Sequence, residues 1–174
     1  MTHNLTVPED FGYVMLSLFG LLVVYFLTFG ALINNKRKKT FTKEFMEKHF
    51  GDEHKKVFGT GAPNGGYPDM GNGRYAQKLS YEQWYDFNNA QRVHYNFLEQ
   101  IPVVVIGGVL SGVFYPIPAA IAIGTYTVGR VIYAIGYIAK GPNFRGPGAL
   151  LGAASMFFLL GSSGYAVTKY ALKL

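Results

Sequence analysis

The sequence of 174 residues contains no cysteine. This absence excludes disulfide bridges, a thiolate nucleophile, and zinc or iron–sulfur sites built on protein thiolates. Any thiol chemistry must therefore use a sulfur atom that arrives on a small molecule.

Charged residues are scarce as well, at 15% of the chain, against about 25% in an ordinary soluble domain. Hydrophobic residues make up 49%, and together with the missing charge this indicates a membrane protein. The net charge of +6 would suit a nucleic-acid partner, but long apolar runs leave little surface for a phosphate-binding face. Basic residues flanking membrane spans explain the charge better, so we expect membrane lipid as a partner and no nucleic acid.

Four apolar stretches, at about 11–33, 88–114, 117–139 and 147–170, are each long enough to cross roughly 30 Å of hydrocarbon. Short turns join the last three, so neighbouring helices are expected to run antiparallel. Frequent glycines in the last two stretches favour close helix packing. The sequence predicts a single all-α domain over residues 1–174, an integral-membrane four-helix up-and-down bundle.

The loops between the spans predict the topology. Lysine and arginine are frequent in loops 34–87 and 140–147, which predicts that both face the cytosol, or the matrix of a mitochondrion. We therefore expect a multi-pass protein of the endoplasmic reticulum or a mitochondrial membrane. Loop 34–87 is long, with a second half rich in Gly, Pro and Asn and no P-loop motif, and we interpret it as a surface excursion or a partner-binding arm.

The second stretch begins with a polar segment, FNNAQRVHYNFLEQIP. Arg92, Asn96 and Glu99 lie at positions i, i+4 and i+7, on one helical face, and His94 flanks that face. Ionisable groups are costly in hydrocarbon, so this cluster predicts a functional site.

A second polar stripe lies in the third stretch. Tyr126, Arg130, Tyr133 and Tyr137 are spaced at i, i+4, i+7 and i+11, again on one face. If the second and third helices are antiparallel, the end of this stripe meets the span-two cluster and Arg145 at one membrane surface.

The chemistry of these side chains favours a zwitterionic ligand. Arginines offer forked donors to carboxylates, a glutamate accepts from an ammonium group, and an arginine beside a thiol favours the thiolate. The set suits a small thiol peptide. The alternative is that these residues only pair with one another and hold the helices in register. His94 fits an interhelical hydrogen bond better than a metal site, and Tyr137 fits an interfacial anchor as well as a binding residue.

The quoted segment, followed by VGRVIYAIGY in the third stretch and KGPNFRGPGALLG after it, resembles the MAPEG family (membrane-associated proteins in eicosanoid and glutathione metabolism). The resemblance covers all four apolar stretches but not the first loop, which is longer than is usual in the family.

The resemblance implies a protomer of a homotrimer that holds glutathione, as a substrate and without a metal, between neighbouring copies. It implies glutathione-binding roles for several residues of the second and third stretches: Arg92, His94, Asn96, Glu99, Arg130, Tyr133 and Tyr137. Arg145 resembles the arginine that stabilises the glutathione thiolate, and is the implied catalytic residue. Arg37 or Lys38 is the implied contact from a neighbouring protomer.

Three hypotheses follow for function. The first is a membrane-bound glutathione transferase or peroxidase, whose lipophilic electrophile or lipid hydroperoxide enters from the bilayer. The second is an accessory structural subunit of a larger membrane complex, for example a mitochondrial one, docked through the aromatic-rich loop 34–87. A channel or transporter fits less well, because charges clustered at one end give no continuous polar path across the bilayer.

Overall fold

The computed structural model describes residues 7–172, and this part of the protein is mainly helical. In chain order the α-helices are α1 (Phe11–Leu27), α2 (Asn34–Thr40), α3 (Lys43–Met46), α4 (Asp52–Phe58), α5 (Tyr81–Phe114), α6 (Pro116–Lys140) and α7 (Gly146–Leu172). Shorter π- and 3-10-helical turns lie at Thr28–Ile33, Glu47–Gly51, Asn64–Gly66, Ala76–Lys78 and Pro142–Arg145. Within residues 7–172 there is no strand, which confirms the predicted all-α class.

Four helical stretches are long and apolar enough to cross a membrane: Phe11–Thr40, Tyr81–Phe114, Pro116–Lys140 and Pro142–Leu172. This confirms the expectation of four membrane-competent helices in a multi-pass protein. The first, second and fourth of them are longer than the apolar runs alone indicate. The first continues through the basic cluster to Thr40, and α5 begins at Tyr81, about two turns before residue 88.

The early start of α5 has a local cause in its first turn. The Gln83 backbone N–H donates to Ser80 Oγ at 3.2 Å, and the Ser80 backbone N–H donates to Gln83 Oε1 at 3.1 Å. This reciprocal pair is a capping box, which satisfies backbone N–H groups that the helix end would otherwise leave without partners. The polar segment is therefore the middle of a 34-residue helix rather than the beginning of a span.

Backbone contacts divide the chain into two compact units. Residues 27–95 form the first, here called the loop unit. The described residues up to 26, together with those from 96 onward, form the second, here called the helix unit. The prediction of one domain over residues 1–174 stays a prediction.

All four membrane-competent stretches contribute to the core of the helix unit. Its buried members include Val14 and Leu21 of α1, Phe97 and Val104 of α5, Ile123 and Tyr126 of α6, and Leu159 of α7. Burial of side chains from every stretch is what a helical bundle requires, since each helix must cover its apolar stripe with its neighbours.

The glycines of the helix unit differ in how closely other atoms surround them. A side chain on Gly148 would overlap the backbone of Tyr133, and one on Gly129 would meet the Gly148 carbonyl oxygen at 3.0 Å. Gly124 and Gly161, in contrast, have no atom within 4 Å of where a Cβ would stand. The close packing that frequent glycine predicts is therefore concentrated at the contact between α6 and α7.

The loop unit has a hydrophobic core of its own, which includes Phe41, Met46, Phe50, Ala76 and Phe87. The mixed charged and aromatic stretch after the basic cluster folds into α3 and α4, and its Met46 and Phe50 side chains lie in this core, while Val57 and Phe58 of α4 are exposed. The first loop is thus a folded element rather than only a surface excursion.

Helix α3 of the loop unit begins with a side-chain cap. The Phe45 backbone N–H donates to Thr42 Oγ1 at 3.2 Å. The exposed Glu44 carboxylate accepts from its own backbone N–H, and next from the Thr42 hydroxyl, and these bonds lower the pKa of Glu44 below its ordinary value. The start of α3 is therefore set by local hydrogen bonds at the surface.

Two buried polar residues fix the Gly-rich part of the loop unit. Arg37, 3% exposed, donates to the backbone carbonyl oxygens of Gly65 (3.0 Å) and Asp69 (2.7 Å), and its guanidinium lies 4.3 Å from the Tyr67 ring centroid. The Asp69 carboxylate accepts from three backbone N–H groups, those of Gly71, Gly73 and Ala76, at 2.8–2.9 Å. The turns are held by charge-assisted hydrogen bonds within the chain.

Candidate functional site

The candidate site is a polar cavity in the helix unit, bordered by α5, α6 and α7. It encloses about 140 Å³. Its polar lining consists of Asn96, Gln100, Arg130, Tyr133 and Arg145, and its apolar wall consists of Ala149, Gly152, Ala153 and Met156. We call it the arginine cavity.

A hydrogen-bond network joins α5 to α6 along this cavity. Arg130 Nη1 donates to Asn96 Oδ1 at 2.7 Å and lies 3.5 Å from Gln100 Oε1. Gln100 Nε2 donates to Asn96 Oδ1 at 3.4 Å, and the Tyr126 hydroxyl donates to Gln100 Oε1 at 3.1 Å. Asn96 and Gln100 are one helical turn apart on α5, as Tyr126 and Arg130 are on α6, so two facing stripes meet.

Aromatic rings hold the buried guanidinium of Arg130, which is 3% exposed. Its Cζ atom lies 4.3 Å from the Tyr133 ring centroid and 4.8 Å from that of Phe97. A cation over ring faces is attracted by the ring quadrupole, most strongly where water is excluded. Together with the amide oxygens, the rings fix Arg130 as a rigid wall of the cavity.

Arg145 supplies the second positive charge from the turn after α6. Its side chain is exposed, Nη1 donates to the Pro142 carbonyl oxygen at 2.9 Å, and Cζ lies 5.8 Å from the Tyr137 ring centroid. Gly141, which begins this turn, has φ of 87°, a left-handed value that favours glycine. The turn thus places a solvent-accessible guanidinium at a cavity whose other arginine is buried.

The charge and size of the cavity indicate what it can hold. Two arginines and two amides line it, and no carboxylate does so within the described chain. Guanidinium groups are forked donors for carboxylates and other anions. Cavities that enclose a whole small molecule usually measure about 300 Å³ or more, so a cavity of about 140 Å³ takes one group of a larger ligand.

The structure brings together part of the predicted set. Asn96, Arg130, Tyr133 and Arg145 all border the cavity. Tyr137 is buried beside them, with its ring centroid 5.5 Å from that of Tyr133. Glu99, also in the helix unit, is exposed and does not line the cavity.

The remaining predicted residues belong to the loop unit. Arg92 and Lys38 are exposed, while His94 is buried with its ring centroid 5.2 Å from that of Phe29. Arg37 is the buried arginine that donates to the carbonyl oxygens of the Gly-rich turns. The glutathione-binding roles of these four residues stay predictions.

Gln100 is the cavity residue that the sequence analysis missed. The signal was present, because Gln100 lies four residues after Asn96 and eight after Arg92, on the same helical face.

Other features of the described residues offer fewer side chains that could bind or activate a ligand. A larger cavity of about 360 Å³ lies in the loop unit along residues 68–75. Its buried carboxylate, Asp69, already accepts three backbone N–H groups. Within residues 7–172, no three His, Asp or Glu side chains are grouped as metal ligands are.

A comparison with protein-family models found a match that extends over most of the chain. The model described as the MAPEG family matches residues 13–165, which include parts of all four membrane-competent stretches and the whole arginine cavity.

Proposed function

The chain belongs to the MAPEG family, and from this premise we propose that it is an integral-membrane enzyme that binds glutathione and activates its thiol. We further propose that, within the family, its motif residues follow the pattern of microsomal glutathione S-transferase type 3. The observation that carries the proposal is the arginine cavity, where two guanidinium groups and two amides line a small space. Glutathione has the matching chemistry, since it carries two carboxylates, one ammonium group and a thiol.

In the proposed mechanism, Arg130 and Asn96 hold an anionic part of glutathione, and Tyr133 and Tyr137 pack beside it. Arg92, Glu99 and His94 of α5 are further glutathione-binding candidates by the family resemblance alone. Arg145 is the catalytic residue, because a positive charge beside a thiol stabilises the thiolate and lowers the thiol pKa. The thiolate then attacks an electrophilic carbon to form a thioether and expel the leaving group. Alternatively it attacks a hydroperoxide oxygen and breaks the O–O bond; the alkoxide takes up a proton and leaves as the alcohol, and a second glutathione converts the resulting sulfenic acid into glutathione disulfide and water.

The small volume of the cavity also supports a shared site. A cavity of about 140 Å³ leaves most of a tripeptide outside it. In a homotrimer, the neighbouring copy would cover the rest of the ligand, with the exposed Lys38 as its contact, since Arg37 is buried and donates to carbonyl oxygens of its own turns. The lipophilic second substrate would reach the site from the bilayer of the endoplasmic reticulum or a mitochondrial membrane. The native mass in detergent tests the trimer.

The second hypothesis is an accessory subunit docked through the aromatic-rich loop 34–87. The loop unit has a hydrophobic core and internal hydrogen bonds of its own. Since these contacts order the loop without a partner, the enzyme is the function that the cavity supports better.

Replacement of Arg145 tests the mechanism. The full-length protein in detergent is assayed with glutathione and either an aryl halide or an organic hydroperoxide. We expect Arg145→Ala to lower kcat/KM by about 100-fold, as loss of one group that stabilises developing negative charge typically does. The pH at which the rate is half-maximal should rise, because the thiol loses a stabilising cation.

The matched control is Lys140→Ala. Lys140 is an exposed cation close in sequence to Arg145, but it lies over the Phe144 ring and does not line the cavity. Its replacement should leave kcat/KM within about twofold of the wild type, as expected of an exposed residue remote from the reaction. Equal activity of the Arg145→Ala variant and the wild type would contradict the assigned role.

A further inference from the structure

Gln100 lines the arginine cavity and belongs to the hydrogen-bond network that joins α5 to α6. It touches three polar side chains, those of Asn96, Tyr126 and Arg130, through the two ends of one amide. We infer that Gln100 is a positioning residue that holds the Asn96 amide with its N–H₂ group available to an anionic part of glutathione. This inference rests on the proposed function.

The first step concerns the orientation of Gln100 itself. The Tyr126 hydroxyl donates to Gln100 Oε1, and Arg130 Nη1 approaches the same oxygen. A guanidinium has no acceptor, so it requires an oxygen opposite it. With Oε1 held by these donors, the other end of the amide, Nε2, is turned toward Asn96.

The second step concerns Asn96. Its Oδ1 atom accepts from both Arg130 Nη1 and Gln100 Nε2. Two donors on one side of the amide fix the oxygen there and leave Nδ2 on the other side. Within the described residues Nδ2 has no hydrogen-bond partner, although Asn96 lines the cavity. An anionic ligand group therefore meets a donor from Asn96 rather than a carbonyl oxygen.

The third step concerns the donor and the acceptor that the Gln100 amide supplies here. A glutamate at position 100 would accept hydrogen bonds but could not donate to Asn96 Oδ1, and its charge would compete with the ligand for Arg130. A methionine would fill a similar volume and make neither hydrogen bond. Of these three side chains, only the amide both accepts from Tyr126 and donates to Asn96.

The test measures glutathione binding and turnover by the full-length protein in detergent. Because a ligand hydrogen bond that involves a charged group is worth about tenfold or more in affinity, Gln100→Met should raise the Kd for glutathione by about tenfold. The turnover number at saturating glutathione should stay within about twofold of the wild type, because Gln100 does not touch the reacting sulfur. Gln100→Glu should raise the Kd further, because it also neutralises Arg130.

A double-mutant cycle with Asn96 separates positioning from general packing. If Gln100 acts through Asn96, Gln100→Met should change the Kd by less than twofold once Asn96→Ala is present. If the two effects multiply, or if Gln100→Met binds glutathione as the wild type does, the inference is wrong.

Tyr126→Phe provides a variant that keeps the core shape, since it removes only the hydroxyl that orients Gln100. It should raise the Kd in the same direction but less, by about threefold, consistent with the loss of one neutral hydrogen bond. Unchanged affinity in this variant would contradict the inference even if Gln100→Met failed to fold. A wild-type protein that does not bind glutathione would overturn the proposed function and this inference together, whereas binding with multiplicative effects overturns the inference alone.

Discussion

Each unit of the molecule buries an arginine, and the two arginines have different surroundings. Arg37 in the loop unit and Arg130 in the helix unit are both 3% exposed. Arg37 donates to backbone carbonyl oxygens of its own turns, so its hydrogen bonds are part of the loop architecture. Arg130 donates to side-chain amides at the edge of a cavity. Burial of a charge therefore does not identify a ligand site; the partners of the charge do.

The largest effect is expected where the loop unit depends on a single carboxylate. Asp69→Ala removes the acceptor of three backbone N–H groups, two of them in buried hydrogen bonds. Since a buried donor without an acceptor costs about 1–3 kcal/mol, we expect the free energy of opening of the Gly-rich turns to fall by about 3 kcal/mol. Hydrogen–deuterium exchange of residues 59–79 measures it.

The control for Asp69 is Asp52→Ala. Asp52 is exposed in the first turn of α4, so its loss should cost only a few tenths of a kcal/mol through the helix dipole. If exchange over residues 59–79 were the same in both variants, the loop unit would not depend on the buried carboxylate, and the contrast with the helix unit would fail.

The next effect tests the close packing within the helix unit. Gly148→Ala places a methyl group against the Tyr133 backbone, whereas Gly161→Ala places it in open space. Overpacking usually costs about 1–3 kcal/mol, so Gly148→Ala should lower stability by about 2 kcal/mol.

The same methyl group at Gly161 should be neutral or slightly stabilising in a helix. Thermal melting of the detergent-solubilised protein compares the two variants. Equal melting temperatures would show that α6 and α7 can move apart at Gly148 at little cost, which would contradict their close packing at this residue.

The sequence was informative wherever one helix determines a pattern by itself. Hydropathy predicted the four membrane-competent stretches, and helical spacing predicted that Arg130 and Tyr133 lie on one helical face, where both line the cavity. Both predictions depend only on short-range geometry, which a single chain segment carries.

Long-range partners could not be predicted in this way. The pairing of Arg37 with carbonyl oxygens at Gly65 and Asp69 joins residues about 30 positions apart, through backbone groups that every residue possesses. No composition rule distinguishes such a loop from a mobile one, so its composition predicted a surface excursion or a partner-binding arm. The early start of α5 was also missed, although Ser80 and Gln83 carry a recognisable capping signal.

A smaller effect is expected at that cap. Ser80→Ala removes one of the two reciprocal hydrogen bonds at the start of α5. Loss of an N-cap serine typically costs about 1 kcal/mol, and fraying should be confined to the first turn. Exchange of the backbone N–H of Gln83 should increase, while Ser80→Asp, which keeps an acceptor at this position, should retain protection. Protection equal to the wild type in Ser80→Ala would mean that packing rather than capping sets the start of the helix.

The smallest effect is expected at an exposed arginine of the loop unit, which completes the comparison with the buried Arg37. Arg74 Nη2 lies 2.7 Å from Glu53 Oε1, and the two side chains are 72% and 52% exposed. Water and salt screen such a pair, and exposed ion pairs contribute about 0–1 kcal/mol. Arg74→Ala should lower stability by less than about 0.5 kcal/mol. The change in stability that 1 M salt causes should differ between the wild type and the variant by less than about 0.5 kcal/mol. A loss as large as that of Asp69→Ala would show that the loop unit depends on its surface charges as much as on its buried ones.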